Sequence, residues 1–480
     1  MPEANRNYVD GEWSIAETGE TIDVVNPAQP DDFVAQYQKS SRADANEAVA
    51  AAASAAAEWA STPGTERGAI LRDAARWLEE HKDDITDQLV GEEGKTPSEA
   101  APEVQRAVDI FYYYAQKAVD FGGTVKDGGG STRRISTRKE PLGVVGLVTP
   151  WNYPIAIPAW KLAPALATGN TAVLKPASLA PGPAHAIVTA LDDAGIPDGV
   201  VNLVTGPGSE VGDVFTTHSA IDAVSFTGSS ATGQHVYDAA TNDGKRIQTE
   251  MGGKNPTVVS RSADLQTAAD IVTAGAFGVT GQACTATSRA IVYEDQYEAF
   301  VDAVVERAEA IDIGPGLDGA DMGPQVSPDE LESTLEYIDI ARDEGSTLET
   351  GGGRPDIDDG YFVEPTVFSD VNPEMTIAQE EVFGPVLAVI PVSDYDEAVE
   401  VANSVEFGLS ASIVTNDHTE ANRFADDIEA GVVKINEKTT GLELHVPFGG
   451  LKNSSSNTYR EQGDAGLEFY TTTKTVYDNY

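Results

Sequence analysis

Apolar residues along the chain come in short runs whose spacing changes from one region to the next, and each change marks a different kind of structure. Residues 41–120 read as helices: an alanine-rich run at 45–60, capped by Asp44, is broken by Pro63-Gly64 before a second helix at 65–80. Between 122 and 140 the pattern turns to Gly-Gly-Thr and Gly-Gly-Gly turns followed by a polar stretch from Ser131 to Arg138. This reads as a strand with little apolar surface of its own, so it needs a partner from this chain or from another subunit.

From 142 to 227 apolar runs at 144–148, 171–174, 200–204 and 223–226 are separated by 18 to 25 residues of helical character. That alternation predicts βαβ units on a parallel sheet. A second set follows at 257–259, 290–293, 386–392 and 412–414, so two α/β layers are implied. The run 468–477, rich in Thr, Tyr and Val, reads as one further strand and as a natural partner for the strand near Ser131. Internal repeats and low-complexity linkers are absent from the sequence.

At 480 residues the chain is long enough for two or three domains of about 150 residues each. Its 78 acidic against 31 basic residues give a net charge of -47, which disfavours nucleic acid and anionic membrane surfaces as partners. With 41% hydrophobic residues the chain folds, so the acidity belongs on a globular surface. The expectation is a protein for a salt-rich cytosol, where molar salt shortens the Debye length to about 3 Å and relieves self-repulsion. Residues 1–20 carry no apolar h-region, and no stretch approaches the roughly 18 apolar residues of a membrane span, so a cytoplasmic protein is expected.

Cys284 is the only cysteine, which excludes an intrachain disulfide and any multi-cysteine metal site. It is set among glycine, glutamine and small hydroxyl residues, from Thr280 to Arg289, where a core cysteine would have branched aliphatics around it. None of the six histidines stands at metal-ligand spacing from another, so no metal is expected. The glycine turns Gly206-Pro207-Gly208 and Gly228-Ser229-Ser230-Ala231-Thr232-Gly233 both follow predicted strands, and neither has the G-x-G-x-x-G spacing. The first is read as a turn.

Seven segments, in this order, resemble the aldehyde dehydrogenase superfamily over nearly the whole chain. They are Thr149-Pro150-Trp151-Asn152-Tyr153-Pro154, Lys175-Pro176-Ala177-Ser178, Phe226-Thr227-Gly228-Ser229, Glu250-Met251-Gly252-Gly253-Lys254-Asn255-Pro256, Gly281-Gln282-Ala283-Cys284, Glu381-Val382-Phe383-Gly384-Pro385 and Pro447-Phe448-Gly449-Gly450. The resemblance implies two Rossmann-like α/β domains and a small β oligomerisation flap. Coenzyme binding would fall to 1–122 and 142–251, the nucleophile to 252–446, and subunit pairing, in a homodimer or homotetramer, to 123–141 and 466–480.

It also implies the chemistry. An aldehyde loses hydride only after a nucleophile has made its carbon tetrahedral, and a thiolate does this and leaves a thioester for water to cleave. Cys284 would be that nucleophile, Asn152 would donate to the oxyanion, and Glu250 would activate the water. Met251 stands where the family more often has leucine. Thr149, Pro150, Trp151, Lys175, Ser178, Gly228, Ser229, Gly233, Gly252, Glu381 and Phe383 would hold a nicotinamide coenzyme. Members favouring NAD commonly carry a glutamate where Ser178 stands; without it a 2′-phosphate is not repelled, so NADP is accepted or preferred.

Thr280 to Arg289, with Lys452-Asn453-Ser454-Ser455-Ser456 and Arg460-Glu461-Gln462-Gly463, is similar to the branch that oxidises 2,5-dioxopentanoate to 2-oxoglutarate in pentose degradation. Succinate semialdehyde and other short aldehydes form the alternative class. Tyr153, Ile157, Trp160, Thr285 and His445 are the expected pocket residues, and an anionic substrate calls for an arginine or lysine not yet identified, Arg289 being a candidate for a structural role. A coenzyme-A-acylating relative would lack Glu250, and a silent structural protein would have lost Cys284 or Glu250.

Overall fold

A computed structural model of the chain describes residues 4–357 and 359–479. Residues 1–3, 358 and 480, which fall within the segments expected for coenzyme, nucleophile and pairing, lie outside the described residues.

Two seven-stranded sheets organise the molecule, as the two α/β alternations predicted. The first runs, in spatial order, Arg246–Glu250, Ala223–Thr227, Val144–Val148, Thr171–Lys175 and Val201–Leu203, all parallel, then Asn7–Val9 and Glu12–Ser14 antiparallel at the edge. Helices cover both faces, so the central strands are buried almost throughout and read as mostly apolar runs. Chain order reverses between Val144–Val148 and Ala223–Thr227, and a crevice opens beyond the carboxyl ends of the strands at such a reversal. The second sheet is ordered Thr347–Thr350, Thr366–Ser369, Val386–Val392, Thr287–Tyr293, Asn255–Val259, Ser410–Val414 and Val432–Ile435, with only the first strand antiparallel. Only residues 251–254 join the sheets, so Glu250 ends one and Asn255 begins the other.

The N-terminal helices span Arg42–Ser61 and Gly64–Glu80. The first is capped by Ser41, not Asp44: Asp44 sits one turn in and its carboxylate reaches back to the Ser41 N–H at 2.7 Å, a capping box. A longer helix, Pro97–Lys117, has the same device in Thr96 and Glu99 and a proline in its first turn, and lies against the core below the first sheet.

The polar strand is Arg133–Pro141, and its partner is in the same chain: Thr471–Asn479 pairs with it antiparallel from Thr471 opposite Pro141 to Asn479 opposite Arg133. The C-terminal strand thus starts three residues later than expected, because Gly463–Phe469 is a helix that buries Phe469 between Tyr459 and Tyr470. Thr471–Asn479 lies at one side of its three-stranded sheet, with most side chains exposed. Among the described residues no helix is long and apolar enough to cross a membrane.

Candidate active site

At the strand-order reversal lies a cavity of about 270 Å³. Pro150, Trp151 and Asn152 enter it from the end of Val144–Val148, Gly228 and Ser229 from the end of Ala223–Thr227, and Ile157 from the following helix. Cys284, Gly252, Glu381 and Phe383 close it from the second layer. Ten of the residues singled out in the sequence therefore meet in one space.

Cys284 is fixed by the loop that carries it. Val279, Thr280 and Gly281 all have left-handed backbones, at φ +55°, +55° and +68°, and such a conformation strains a β-branched residue. Bonds from outside hold the loop in place. Glu99 on helix Pro97–Lys117 accepts from the Val279 N–H at 2.6 Å, Thr280 donates to Gly323 O at 3.0 Å, and Asn255 Nδ2 donates to the Cys284 and Ala286 carbonyls at 2.9 and 2.8 Å. Asn152 Nδ2 donates to Gln282 O at 2.9 Å, so the amide lies against the turn that presents the thiol. The thiol is half-buried, yet burial pushes it well above its ordinary pKa, and the charges of Glu381, Glu250 and Glu461 add to the effect.

Glu250 is 2% exposed. Its Oε2 accepts from Gly450 N–H at 3.0 Å, while Oε1 is buried without a partner. A Cβ on Gly449, whose φ is +153°, would stand 2.5 Å from that Oε1, so this position must be glycine for the chain to pass. Burial first and the Glu461 carboxylate second raise Glu250 well above the usual carboxylate range, against the pull of Gly450 N–H, Arg460 and Lys161. Glu381 accepts from Gly253 N–H at 2.9 Å and is pushed by burial up to about 7. Gly252 leaves room for it, since a Cβ there would come within 2.1 Å of Glu381 Oε2.

Other expected residues lie outside the cavity. Thr149 is buried one residue before the cavity wall, its hydroxyl unpartnered. Lys175 ends the next strand, bonds among the described residues only to Pro176 O at 2.9 Å, and is lowered by burial to about 8. Ser178 donates to Gly206 O at 3.3 Å, and Gly233 packs where a Cβ would strike Met251 Sδ. Tyr153 lies under the Lys95 ammonium, 4.2 Å from the ring centre. Trp160, 6.2 Å from Phe448, and Thr285 are buried, whereas His445 is exposed near Glu443. Arg289 is structural: its four bonds, 2.8–3.1 Å, all go to the carbonyls of Lys254, Val401 and Ala402.

Two buried charge clusters had not been singled out. Lys95 pairs with Glu103 at 2.6 Å and Glu93 at 3.8 Å and donates to Asn152 O, while Glu103 accepts from the Ile155 and Ala156 N–H groups at 3.1 and 3.2 Å. Behind Glu250, Lys161 joins Glu461 and donates to Ser225 at 2.7 Å. The first cluster grips the Asn152 loop and the second sets the field around Glu250.

A thiol, an amide and two high-pKa carboxyls at the reversal point of a doubly wound sheet define an oxidoreductase of the nicotinamide-coenzyme kind. More narrowly, the chain belongs to the aldehyde dehydrogenase family, whose model matches residues 13–476. It is 64% identical over the full length of both chains to the α-ketoglutarate semialdehyde dehydrogenase of Haloferax volcanii, a halophilic archaeon. It is 44% identical to the 2,5-dioxopentanoate dehydrogenase of Saccharolobus solfataricus, over 96% of this chain and 97% of that one. Betaine aldehyde dehydrogenase of Staphylococcus aureus, solved with NAD+, superposes with a TM-score of 0.96 at 36% identity, covering 99% of this chain and 95% of that one.

The enzyme oxidises aldehydes, and the family binds NAD(P). The residues present suit such a coenzyme. The helix Ser230–Asn242 begins at the crevice with no side-chain cap on its first N–H groups, and the Thr149 and Thr227 hydroxyls and the Lys175 ammonium are buried with donors to spare.

Proposed function

We propose that this aldehyde dehydrogenase converts 2,5-dioxopentanoate to 2-oxoglutarate, with Cys284 as nucleophile, Asn152 as oxyanion donor and Glu250 as base. The observation that carries the mechanism is the unpartnered, buried Oε1 of Glu250, whose carboxylate acts through space on a Cys284 thiol that burial pushes well above its ordinary pKa. A base with a raised pKa can take the proton from Cys284 Sγ as the sulfur adds to the aldehyde carbon. The oxygen of that carbon becomes an anion within reach of the Asn152 amide; Lys95 holds the Asn152 carbonyl, and Glu103 holds the Ile155 and Ala156 N–H groups a few residues on. A nicotinamide coenzyme held at the crevice by residues such as Gly228, Ser229, Glu381 and Phe383 would supply the hydride acceptor. Once Glu250 has given the thiol's proton up to solvent, it accepts the proton of the water that adds to the thioester on Cys284; the carbon–sulfur bond then breaks and the acid leaves.

The substrate reading is supported by the names of the Haloferax and Saccharolobus relatives, which match this chain from end to end. Thr149, Pro150, Trp151, Lys175, Gly228, Ser229, Gly233, Gly252, Glu381 and Phe383 are assigned to the coenzyme. Ser178, near Lys175 and without a carboxylate, favours acceptance of a 2′-phosphate. The division into coenzyme, nucleophile and pairing regions is supported by strand membership: residues 7–250 build the first sheet and 255–435 the second. The free side of Thr471–Asn479 favours a homo-oligomer, and the enzyme works in the cytoplasm, with the nicotinamide pool. A panel of aldehydes with NAD and NADP in high salt tests this. 2,5-Dioxopentanoate should have the highest kcat/KM, and a large preference for NAD would refute the Ser178 argument. A monomer by light scattering in high salt would remove the pairing role.

A further inference from the structure

If the substrate is an acidic aldehyde, as proposed above, a cation must meet its carboxylate, and most cations near the catalytic loops are already engaged. Lys95 spends itself on Glu93, Glu103 and Asn152 O, and Lys161 on Glu461 and Ser225. Arg289 is bound to backbone carbonyls, and Arg460 turns to Gly450 O behind Glu250. Lys254 has no hydrogen-bond partner among the described residues, but the space beside it is about 10 Å³, far too small for a five-carbon acid.

Arg106 differs. It lies on helix Pro97–Lys117, and positions 99, 103 and 106 share one helical face. Glu99 on that face reaches the nucleophile loop and Glu103 the Asn152 loop, so the next turn directs Arg106 along the same wall. The residue is half-buried and among the described residues makes one hydrogen bond, from Nη2 to Gln462 Oε1 at 3.0 Å. Glu443 and Asp109 act on it through space, but among the described residues no carboxylate forms an ion pair with it. Gln462 is 1% exposed, held at φ +62°, and its Nε2 is buried with no acceptor. It directly follows Glu461, the carboxylate that faces Glu250. A guanidinium with free donors beside an amide with a free donor, on the wall that carries both catalytic loops, is suited to a carboxylate and a neighbouring oxo group.

We propose that Arg106, steadied by Gln462, receives the carboxylate of the substrate and sets the preference for acidic aldehydes. The test compares kcat/KM for 2,5-dioxopentanoate and for butanal in wild type, Arg106→Met, Arg106→Lys and Gln462→Leu. The acid-to-neutral ratio should fall about 10- to 100-fold in Arg106→Met, through KM for the acid, and by less in the other two. As a second readout that needs no turnover, glutarate should slow alkylation of Cys284 by iodoacetamide in wild type and lose that protection in Arg106→Met. An unchanged ratio with undiminished protection would overturn the assignment. A wild-type enzyme that uses succinate semialdehyde in place of 2,5-dioxopentanoate would refute the substrate reading alone, and the same ratio is then taken on that acid. A wild-type preference for butanal would refute both.

Discussion

Replacing Lys95 by methionine separates positioning from chemistry, because Lys95 touches no reacting atom and yet holds the backbone of Asn152. Among the described residues its ammonium is the only cation paired with Glu93 and Glu103, and the three side chains are at most 2% exposed. Removing one partner from a buried ionic cluster costs about 3 to 5 kcal/mol, mostly by leaving uncompensated carboxylates. The linkage has a definite sign. Glu93 is held well above the ordinary carboxylate range by burial, with Lys95 pulling it back down, so losing Lys95 raises it further. A carboxyl raised in the folded state contributes stability below its unfolded pKa and loses it as pH rises through the folded value. The variant should therefore be more destabilised at about pH 8 than at about pH 5 when both melts are run in the same salt. In catalysis, a displaced oxyanion donor approaches the cost of a missing one, about 10²- to 10³-fold in kcat. Stopped-flow formation of reduced coenzyme on Lys95→Met, Asn152→Ala and the double variant reads this directly. If Lys95 acts through Asn152, the double variant should be no slower than Asn152→Ala. A folded Lys95→Met enzyme within about threefold of wild type, or a fully additive double variant, would refute the reasoning.

Glu250→Gln should form its first equivalent of reduced coenzyme slowly and then stall, with steady-state kcat down about 10²- to 10⁴-fold; unimpaired turnover would remove Glu250 from both proton transfers. Because Glu250 is raised, its basic form is depleted as pH falls, so wild-type kcat should decline on the acid side at a pH well above that of an ordinary carboxylate, and a flat profile across pH 5–8 would contradict this. Gly252→Ala drives a methyl into Glu381 and should raise KM for the coenzyme about tenfold with a smaller change in that for the aldehyde, by the loss of a charge-assisted bond. Thermal melts with and without molar salt check the halophilic expectation drawn from the net charge of -47; full stability in dilute buffer would sink it.

The buried parallel strands were the most legible part of the fold. The run at 386–392 matches Val386–Val392, and those at 144–148 and 171–174 match within one residue, since strands covered on both faces must be apolar without interruption. Arg246–Glu250 escaped notice although four of its five residues are buried, because Arg246, Gln248, Thr249 and Glu250 are polar and break the apolar run; Gln248 Oε1 accepts from Ser225, while the Thr249 hydroxyl and Glu250 Oε1 are buried without partners among the described residues. The residues brought together at the crevice had been named from short motifs. Lys95, Glu93, Glu103, Lys161 and Glu461 had not been given a role, since a charged residue among 78 carboxylates looks like solvated surface until its burial is known. The capping box at Thr96 to Glu99 starts the helix that carries Glu103, and no pattern in the sequence says what the inner face of that helix grips.

The left-handed run ahead of Cys284 bears on how this enzyme can be improved. Val279 and Thr280 occupy a conformation that costs a β-branched residue of order 1 to 3 kcal/mol, which the Glu99 and Gly323 contacts hold in place. Selection for heat tolerance would find easy gains there, because glycine at 279 relieves strain without touching the core. The same change frees the segment that aims the nucleophile, so thermal hardening at this spot trades directly against turnover, and ruggedness is better sought on the remote helices.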